Sequence, residues 1–196
     1  VAHAGLSPYA DPPLAKSLEP LRDPEIFTRL NHTTWRTIYP PAAQAFFQLV
    51  YRLRPDSVRA VKLAVGLVEL VGLITVFGLL RAGGRPLSQA VVYAWNPLVL
   101  VEVWGTGHLD GLVVPAVVGA AWLAVRGRHA AAGALLGAGA LVKLYPAALL
   151  LLLPIAAWPV ALPSFTAVVL AGYAPALLAG TEVLGSLPRY VTEEYF

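Results

Sequence analysis

The sequence contains no cysteine and no methionine, and it has few charged residues for its length. The absence of cysteine excludes disulfide bonds and cysteine-ligated metal sites. The absence of methionine leads us to expect that Val1 is an internal position and that the sequence is a fragment of a longer protein. Charged residues make up 13% of the 196 residues, against about 25% in a typical soluble domain. The low charge therefore argues against a soluble globular protein.

Apolar residues take the place of the missing charge. They make up 58% of the chain, and the mean hydropathy is +0.68. Because backbone polar groups in a bilayer must be satisfied internally, we predict an all-α, polytopic membrane protein. The net charge of +3 is small and the basic residues mostly flank apolar runs, so we expect no nucleic-acid partner.

Residues 1–40 are polar, and residues 42–53 (AAQAFFQLVYRL) are apolar but short. Proline is tolerated in the first turn of a helix but interrupts a longer one, so the leading region is predicted to form short helices and no spanning helix. We interpret residues 42–53 as an interfacial helix or the foot of the next span. Seven prolines lie near the start of the chain, at positions 8, 12, 13, 20, 24, 40 and 41.

Apolar segments of spanning length, or near it, follow this leading region. Two short basic loops, RAGGR and RGRH, separate some of them and contain no acid, so we predict that these loops are cytoplasmic. A polar tail begins at Thr181. The predicted apolar segments are residues 58–80, 87–104, 109–125, 130–158 and 163–178.

The segment 130–158 is interrupted at Lys143–Pro146 and allows two interpretations. It is either one long, tilted and kinked helix or a hairpin of two short helices with Lys143–Pro146 at its apex. The hairpin places the polar tail from Glu182 on the same side as the leading polar region, opposite the two basic loops. The positive-inside rule favours the hairpin.

The stretch YAWNPLVLVEVWGTGHLDGL, residues 93–112, concentrates polar groups inside apolar sequence. A carboxylate at the centre of a membrane helix costs roughly 2.5–3.5 kcal/mol, so such groups usually face a cavity or a partner. A helix from Trp95 would place Glu102 and Thr106 on one face. The alternative is a Glu paired with a basic residue, with the other groups capping a loop. The predicted site residues here are Asn96, Glu102, His108 and Asp110.

Three sequence blocks occur in order: NHTTWRTIYPPAAQAFF at residues 31–47, YAWNPLVLVEVWGTGHLDGL at 93–112 and GALLGAGALVKLYP at 133–146. In these blocks the chain resembles the polyprenol-dependent glycosyltransferases of the GT-C superfamily, in particular the bacterial mannosyltransferase-like group called family 87. Each block alone is moderately specific, whereas the three in order are a strong indication. The resemblance covers nearly the whole sequence.

The resemblance implies a GT-C-like helical bundle with a large first extracytoplasmic loop that holds short helices parallel to the membrane. On this expectation residues 1–40 are the loop, residues 41–180 are transmembrane helices and residues 181–196 begin a further extracytoplasmic loop, within one domain. The first transmembrane helix would precede residue 1. The protein would be a multi-pass protein of the bacterial inner membrane.

The resemblance also implies an enzyme. It would transfer a sugar, mannose by family default, from a polyprenyl-phosphate donor to a lipid or glycan acceptor at the extracytoplasmic face. Its partners would be that donor, the acceptor and the bilayer. No cofactor is expected, and the spacing of Glu102, His108 and Asp110 matches no strong metal-ligand pattern.

The catalytic base that the resemblance implies is an Asp or Glu early in the first loop. Among the loop acids Asp11, Asp23 and Glu25, we favour Asp23. Two alternatives stay open: Asp23 is a helix cap before Pro24, or the base lies upstream of residue 1.

Other polar residues are predicted to bind substrate. His32 and Tyr39 are placed where the loop re-enters the membrane, and the alternative for them is a rigid interfacial turn. Lys143, with Tyr145 beside it, either reaches the interface or meets an anion, and we favour the phosphate of the lipid donor. Glu69 is expected to pair with a basic group or to pack between helices.

Two rival functions remain at this stage. Broken helices with charges at membrane depth also mark the sites of transporters and flippases. A non-catalytic membrane subunit that binds glycolipid is the other alternative. A transmembrane helix and an acid just upstream of residue 1 would favour the enzyme.

Overall fold

Every regular element in the described part of the chain, residues 6–178 and 182–192 of this computed structural model, is helical. The all-α prediction is therefore confirmed. The chain forms two compact units. We call Val1–Asp56 with Tyr173–Phe196 the loop unit, and Ser57–Gly172 the helical unit.

The loop unit contains only short helices before residue 54. A 3-10 helix covers Lys16–Leu21, α1 covers Pro24–Phe27 and α2 covers Pro41–Leu53. Proline stands in the first turn of both α-helices, where its missing N–H costs nothing. No continuous helix runs through residues 10–40, as the prolines predict.

The segment 182–192, which ends in a short helix (Leu187–Thr192), packs against the leading region. Arg36 forms an ion pair with Glu182, and its backbone N–H donates to Ser186 Oγ at 2.9 Å. The Arg189 guanidinium lies 4.7 Å from the centre of the Trp35 ring. These contacts put Glu182 beside the leading polar region, as the hairpin interpretation predicts.

Helix α3 (Val58–Ala82) opens the helical unit and has the length and composition of a membrane span. Its 25 residues rise by about 38 Å, more than the hydrocarbon core of about 30 Å. Ser57 caps its start by accepting from the Ala60 N–H at 3.2 Å. One face of α3 leaves Leu63, Leu67 and Ile74 exposed, as expected for side chains that face lipid.

The predicted apolar segment 87–104 is not one continuous helix. It divides into a 3-10 turn (Leu87–Gln89), α4 (Ala90–Ala94) and a π-helix (Val99–Thr106). The prediction of a helix that runs from Trp95 is wrong, because Trp95 ends α4. Pro97 lacks an N–H and restricts the preceding residue, so the helix breaks there.

Helix α5 (Asp110–Val125) packs against α3, and α6 (His129–Ala140) packs against α5. Gly72 of α3 lies against Val114, and Gly78 lies against Trp122. Helices α3 and α5 therefore run in the same direction. A side chain at either glycine would clash, since a Cβ would lie 2.8 Å from the neighbouring atom. Small residues let membrane helices approach in this way.

The hairpin interpretation of residues 130–158 is confirmed. The chain turns at residues 141–144, and a 3-10 helix (Tyr145–Leu152) packs back along α6. A further 3-10 turn (Ile155–Ala157) leads into α7 (Trp158–Leu178), which starts earlier than the predicted segment 163–178. The stretch Ile155–Leu177 is the second candidate membrane span.

The two ends of the helical unit differ in their polar groups. The end that we call the break end holds Lys62, residues 102–110 and Lys143. The other, which we call the arginine end, holds Arg81 and Arg126, where α3 and α5 finish.

Candidate functional site

The glycine break between the π-helix and α5 sets the geometry of the break end. Gly107 has a φ of +79°, in the left-handed region that favours glycine, and it ends the π-helix. A Cβ at this position would lie 2.9 Å from Lys62 Cγ. Lys62 Nζ donates to the Gly105 carbonyl at 2.6 Å. The sequence did not point to Lys62, whose partner is a backbone carbonyl 43 residues away.

Glu102, Thr106 and His108 converge at this break. His108 Nδ1 lies 3.0 Å from Glu102 Oε2 and 3.2 Å from Thr106 Oγ1. The Thr106 hydroxyl donates to the Glu102 carbonyl oxygen at 2.6 Å. The side chains of Glu102 and His108 are 43% and 56% exposed. A carboxylate, an imidazole and a hydroxyl are thus held together and are open to a ligand with hydroxyl groups.

Asp110 and Lys143 form the second polar pair of the break end. Lys143 Nζ lies 2.7 Å from Asp110 Oδ2, with 29% and 41% of the side chains exposed. Asp110 is the first residue of α5, where the helix dipole favours an anion. Tyr145 lies within electrostatic range of Asp110. The anion that meets Lys143 in this structure is therefore a protein carboxylate, and phosphate binding by Lys143 stays a prediction.

Asn96 and Glu69 position the π-helix. Asn96 Oδ1 accepts from the Leu98 N–H at 2.9 Å and so supports the turn at Pro97. Glu69 is 3% exposed and accepts from Trp104 Nε1 at 3.1 Å, with Tyr93 beside it. The helix-packing role expected for Glu69 is thus what the structure shows, with an indole in place of a basic partner. A ligand contact by Asn96 stays a prediction.

A cavity of about 600 Å³ lies within the loop unit. It brings together three predicted site residues, Asp23, His32 and Tyr39, and Glu25 is not part of its wall. Its wall combines polar and apolar groups, so it can accept a ligand of mixed polarity. Further wall residues are Asp11, Leu18, Arg22, Phe27, Trp35 and Gln44.

Asp23 caps the start of α1, which was the alternative to its predicted role as the base. Its Oδ1 accepts from the N–H groups of Glu25 and Ile26, both at 2.9 Å. Among the described residues no hydrogen bond to Asp23 Oδ2 occurs. The carboxylate is therefore fixed in position through one oxygen, and the other can face the cavity. Whether Asp23 acts as a base stays a prediction.

The backbone around His32 and Tyr39 is strongly constrained. His32 has a φ of +53°, which is uncommon for a residue with a side chain, and its ring lies 4.9 Å from the Trp35 ring. The Tyr9 hydroxyl donates to the Tyr39 carbonyl at 2.9 Å. Burial raises the pKa of the Tyr9 phenol well above its ordinary value, so this donor keeps its proton. These contacts fit a rigid turn at the cavity wall.

Arg22 braces the same wall, and no pattern in the sequence points to it. Its guanidinium donates to the carbonyls of Pro13 and Ala15, at 3.2 and 3.0 Å, and lies 4.7 Å from the centre of the Phe27 ring. Such backbone contacts have no signature in residue type or spacing.

Across residues 6–178 and 182–192, no three potential His, Asp or Glu ligands cluster to hold a metal ion.

The comparison with known proteins identifies a family. No curated protein and no solved structure shows significant similarity to the chain. Residues 1–162 match the MptA_B family, described as alpha-(1->6)-mannopyranosyltransferase, N-terminal domain. This match covers most of the chain and supports the predicted mannosyltransferase-like character. The chain belongs to the alpha-(1->6)-mannopyranosyltransferase family, on the match of residues 1–162 to the N-terminal domain of that family.

Proposed function

We propose that the chain is part of a polytopic, GT-C-like membrane mannosyltransferase. It transfers mannose from a polyprenyl-phosphate donor to a lipid or glycan acceptor at the extracytoplasmic face of a bacterial inner membrane. The observation that carries the proposal is the family match over residues 1–162. The family name specifies an α-(1→6) linkage, so the acceptor group is a C6 hydroxyl.

The apolar surface of the helical unit suits a donor with a prenyl chain. Helix α3 and the stretch Ile155–Leu177 are long and apolar enough to cross a membrane. Large side chains such as Leu67, Ile74 and Leu170 are exposed on them. A lipid-linked donor would reach the protein from the hydrocarbon phase, where these side chains lie.

The chemistry requires one proton transfer and one leaving group. The C6 oxygen of the acceptor attacks C1 of mannose while a carboxylate takes its proton, and the bond from C1 to the phosphate oxygen breaks. Polyprenyl phosphate leaves with the bonding electrons. We assign the base to Asp23, because its carboxylate is fixed through one oxygen and lines the cavity of the loop unit.

The leaving group gains negative charge during the reaction. A phosphodiester carries one negative charge, and the released phosphate monoester carries up to two. A cation at the phosphate therefore binds the transition state more strongly than the substrate. We assign this role to Lys143, whose ammonium Asp110 holds in place at 2.7 Å. Glu102, His108 and Tyr145 are assigned to sugar or phosphate hydrogen bonds.

The test is a transfer assay with the full-length protein in proteoliposomes. Polyprenyl-phosphate-mannose and GDP-mannose are supplied in separate reactions with an α-mannoside acceptor, and the product linkage is determined. We expect α-(1→6) transfer from the lipid donor alone. Transfer from GDP-mannose alone would contradict the proposed donor.

Two results would point to the rival functions. Movement of the lipid donor between leaflets without transfer would indicate a flippase. Tight binding of the donor with neither movement nor transfer would indicate a glycolipid-binding subunit.

A single substitution tests the proposed role of Asp23 as the base. Asp23→Asn keeps a side-chain oxygen for the cap of α1 and removes the basic carboxylate, so it separates the two roles of this residue. We expect transfer to be lost while the protein stays folded. An Asp23→Asn variant that keeps the parent rate would reject Asp23 as the base.

A further inference from the structure

A second cavity, of about 540 Å³, lies at the arginine end of the helical unit, opposite the break end. It is bounded by the last turns of α3 and α5. Arg81 and Arg126 line it together with Trp122. None of the predicted site residues belongs to this cavity, and the proposed sugar transfer does not use it.

The polarity of the cavity changes along the helix axes. Ile74, Phe77 and Arg81 follow one another at three- and four-residue spacing on one face of α3, so the wall changes from apolar to cationic towards the helix end. Val125 and Arg126 repeat this change on α5. A lipid has the same arrangement, with its acyl chains in the core and its headgroup at the surface.

Trp122 lines the cavity and lies beneath the guanidinium of Arg126. Its indole fits against Gly78, where a Cβ would lie 2.8 Å from Trp122 Cε2. The Arg126 guanidinium lies 5.9 Å from the centre of the Trp122 ring. Tryptophan is typical of the headgroup level of a membrane protein.

The charges of the cavity favour an anion. Within the described part of the chain, neither Arg81 nor Arg126 forms an ion pair with a carboxylate. Two helix ends contribute partial negative charge of about half a unit each, which two full positive charges outweigh. Guanidinium groups bind phosphate through paired hydrogen bonds.

We propose that this cavity binds one anionic phospholipid. Its phosphate lies between Arg81 and Arg126, and an acyl chain lies along Ile74, Phe77 and Val125. The site is distinct from the break end, and it does not depend on the identity of the sugar. Binding is non-covalent and anchors the ends of α3 and α5 at the headgroup layer.

Lipid binding to the full-length protein in detergent, measured by native mass spectrometry, tests the proposal. Phosphatidylglycerol and phosphatidylcholine with the same acyl chains are titrated in parallel. We expect tighter binding of phosphatidylglycerol, and a loss of about tenfold in its affinity in the Arg81→Gln/Arg126→Gln variant. Equal binding of the two lipids by the parent protein would overturn the proposal.

The matched control is Arg85→Gln/Arg128→Gln. It removes the same charge from the same two loops, outside the cavity wall, so the general attraction of anionic lipid falls equally in both variants. We expect the control to lose less than about threefold in affinity. An equal loss in both variants would indicate general charge attraction and reject the site.

A competition arm separates a lipid from a soluble phosphate. Glycerol phosphate presents a phosphate and a glycerol group without the acyl chain, and its monoester carries up to one more negative charge than the lipid phosphodiester. We expect millimolar glycerol phosphate to leave bound phosphatidylglycerol in place, because it cannot fill the apolar part of the cavity. Complete displacement by glycerol phosphate would mean that the occupant is a soluble phosphate, which would overturn the lipid assignment.

Discussion

The two ends of the helical unit both carry positive charge, but the positively charged side chains have different partners. At the break end, the Lys143 ammonium pairs with Asp110 at 2.7 Å, and the Lys62 ammonium donates to the Gly105 carbonyl at 2.6 Å. At the arginine end, no ion pair within the described ranges reaches Arg81 or Arg126. An irregular backbone brings the polar groups of the first end together, whereas Arg81 and Arg126 lie where the regular helices α3 and α5 finish.

The difference shows what the irregular backbone contributes. A π-helix and a left-handed glycine bring Glu102, Thr106 and His108 together within seven residues. Such polar groups in a membrane protein are usual where they meet a partner or line a cavity. On our proposal the arginine end needs no such arrangement, because the phosphate of the bound lipid supplies the anion. We therefore expect substitutions at the break end to have the larger effects.

The largest effect is expected for Lys143→Ala in the mannosyl-transfer assay. Loss of the cation at the leaving phosphate should lower the turnover about 100-fold or more, while Lys143→Arg should keep part of the activity. From the sequence alone, Lys143→Ala is expected to fold, because deletion of an intramembrane charge makes insertion easier. The ion pair with Asp110 changes this expectation, because an unpaired carboxylate is then left behind.

Arg128→Ala is the control for this variant, since it removes one positive charge from the arginine end without touching either cavity. It should retain the parent rate within about twofold, as is usual for exposed positions. A parent rate in Lys143→Ala would contradict the role of Lys143 at the phosphate.

Two left-handed glycines extend the comparison to stability. Gly107 has a φ of +79° and lies against Lys62, whereas Gly84, in the loop at the arginine end, has a φ of +62° and open space where a Cβ would lie. Gly107→Ala should lower the free energy of unfolding by about 2–3 kcal/mol and Gly84→Ala by about 1 kcal/mol. Reversible unfolding in SDS, followed by circular dichroism, measures both. Equal losses would mean that the contact with Lys62 adds nothing.

The sequence predicted the helical class and the polar stretch and favoured the hairpin, because these depend on hydrophobic runs, prolines and glycines. It did not predict the π-helix, since one extra residue per turn leaves no periodic pattern. The contact between Lys62 and Gly105 was also not predicted. Its acceptor is a backbone carbonyl, which every residue has, so the residue types do not indicate the contact. The pair Asp110–Lys143 depends on the hairpin, which the sequence left as one of two interpretations.

Glu69→Leu should lower the free energy of unfolding by less than Gly107→Ala does. The variant leaves Trp104 Nε1, a part-buried donor, without its acceptor, and a typical hydrogen bond contributes about 0.5–1.5 kcal/mol. Glu69→Gln keeps a side-chain oxygen and should lose less than half as much. SDS unfolding followed by tryptophan fluorescence measures both variants. If Glu69→Leu were as stable as the parent, the bond to Trp104 would not hold the π-helix.

The smallest effect is expected for Arg81→Gln/Arg126→Gln in detergent without added lipid. Both side chains are exposed and have no carboxylate partner among the described residues, so the unfolding free energy should change by no more than about 0.5 kcal/mol. The same SDS titration measures it. A loss as large as that of Gly107→Ala would show that the arginines stabilise the fold directly, and the contrast between the two ends would fail.

The most direct test of the central claim is the charge swap Asp110→Lys/Lys143→Asp, assayed for mannosyl transfer. The swap restores an ion pair between the same two positions but puts a cation at the start of α5, so the unfolding free energy in SDS should fall by no more than about 1 kcal/mol. If Lys143 meets the donor phosphate, the ammonium is now displaced, and a misplacement of about 1 Å can cost 100-fold in rate. The account predicts a folded protein with transfer about 100-fold below the parent. Transfer at the parent rate would show that the pair is purely structural.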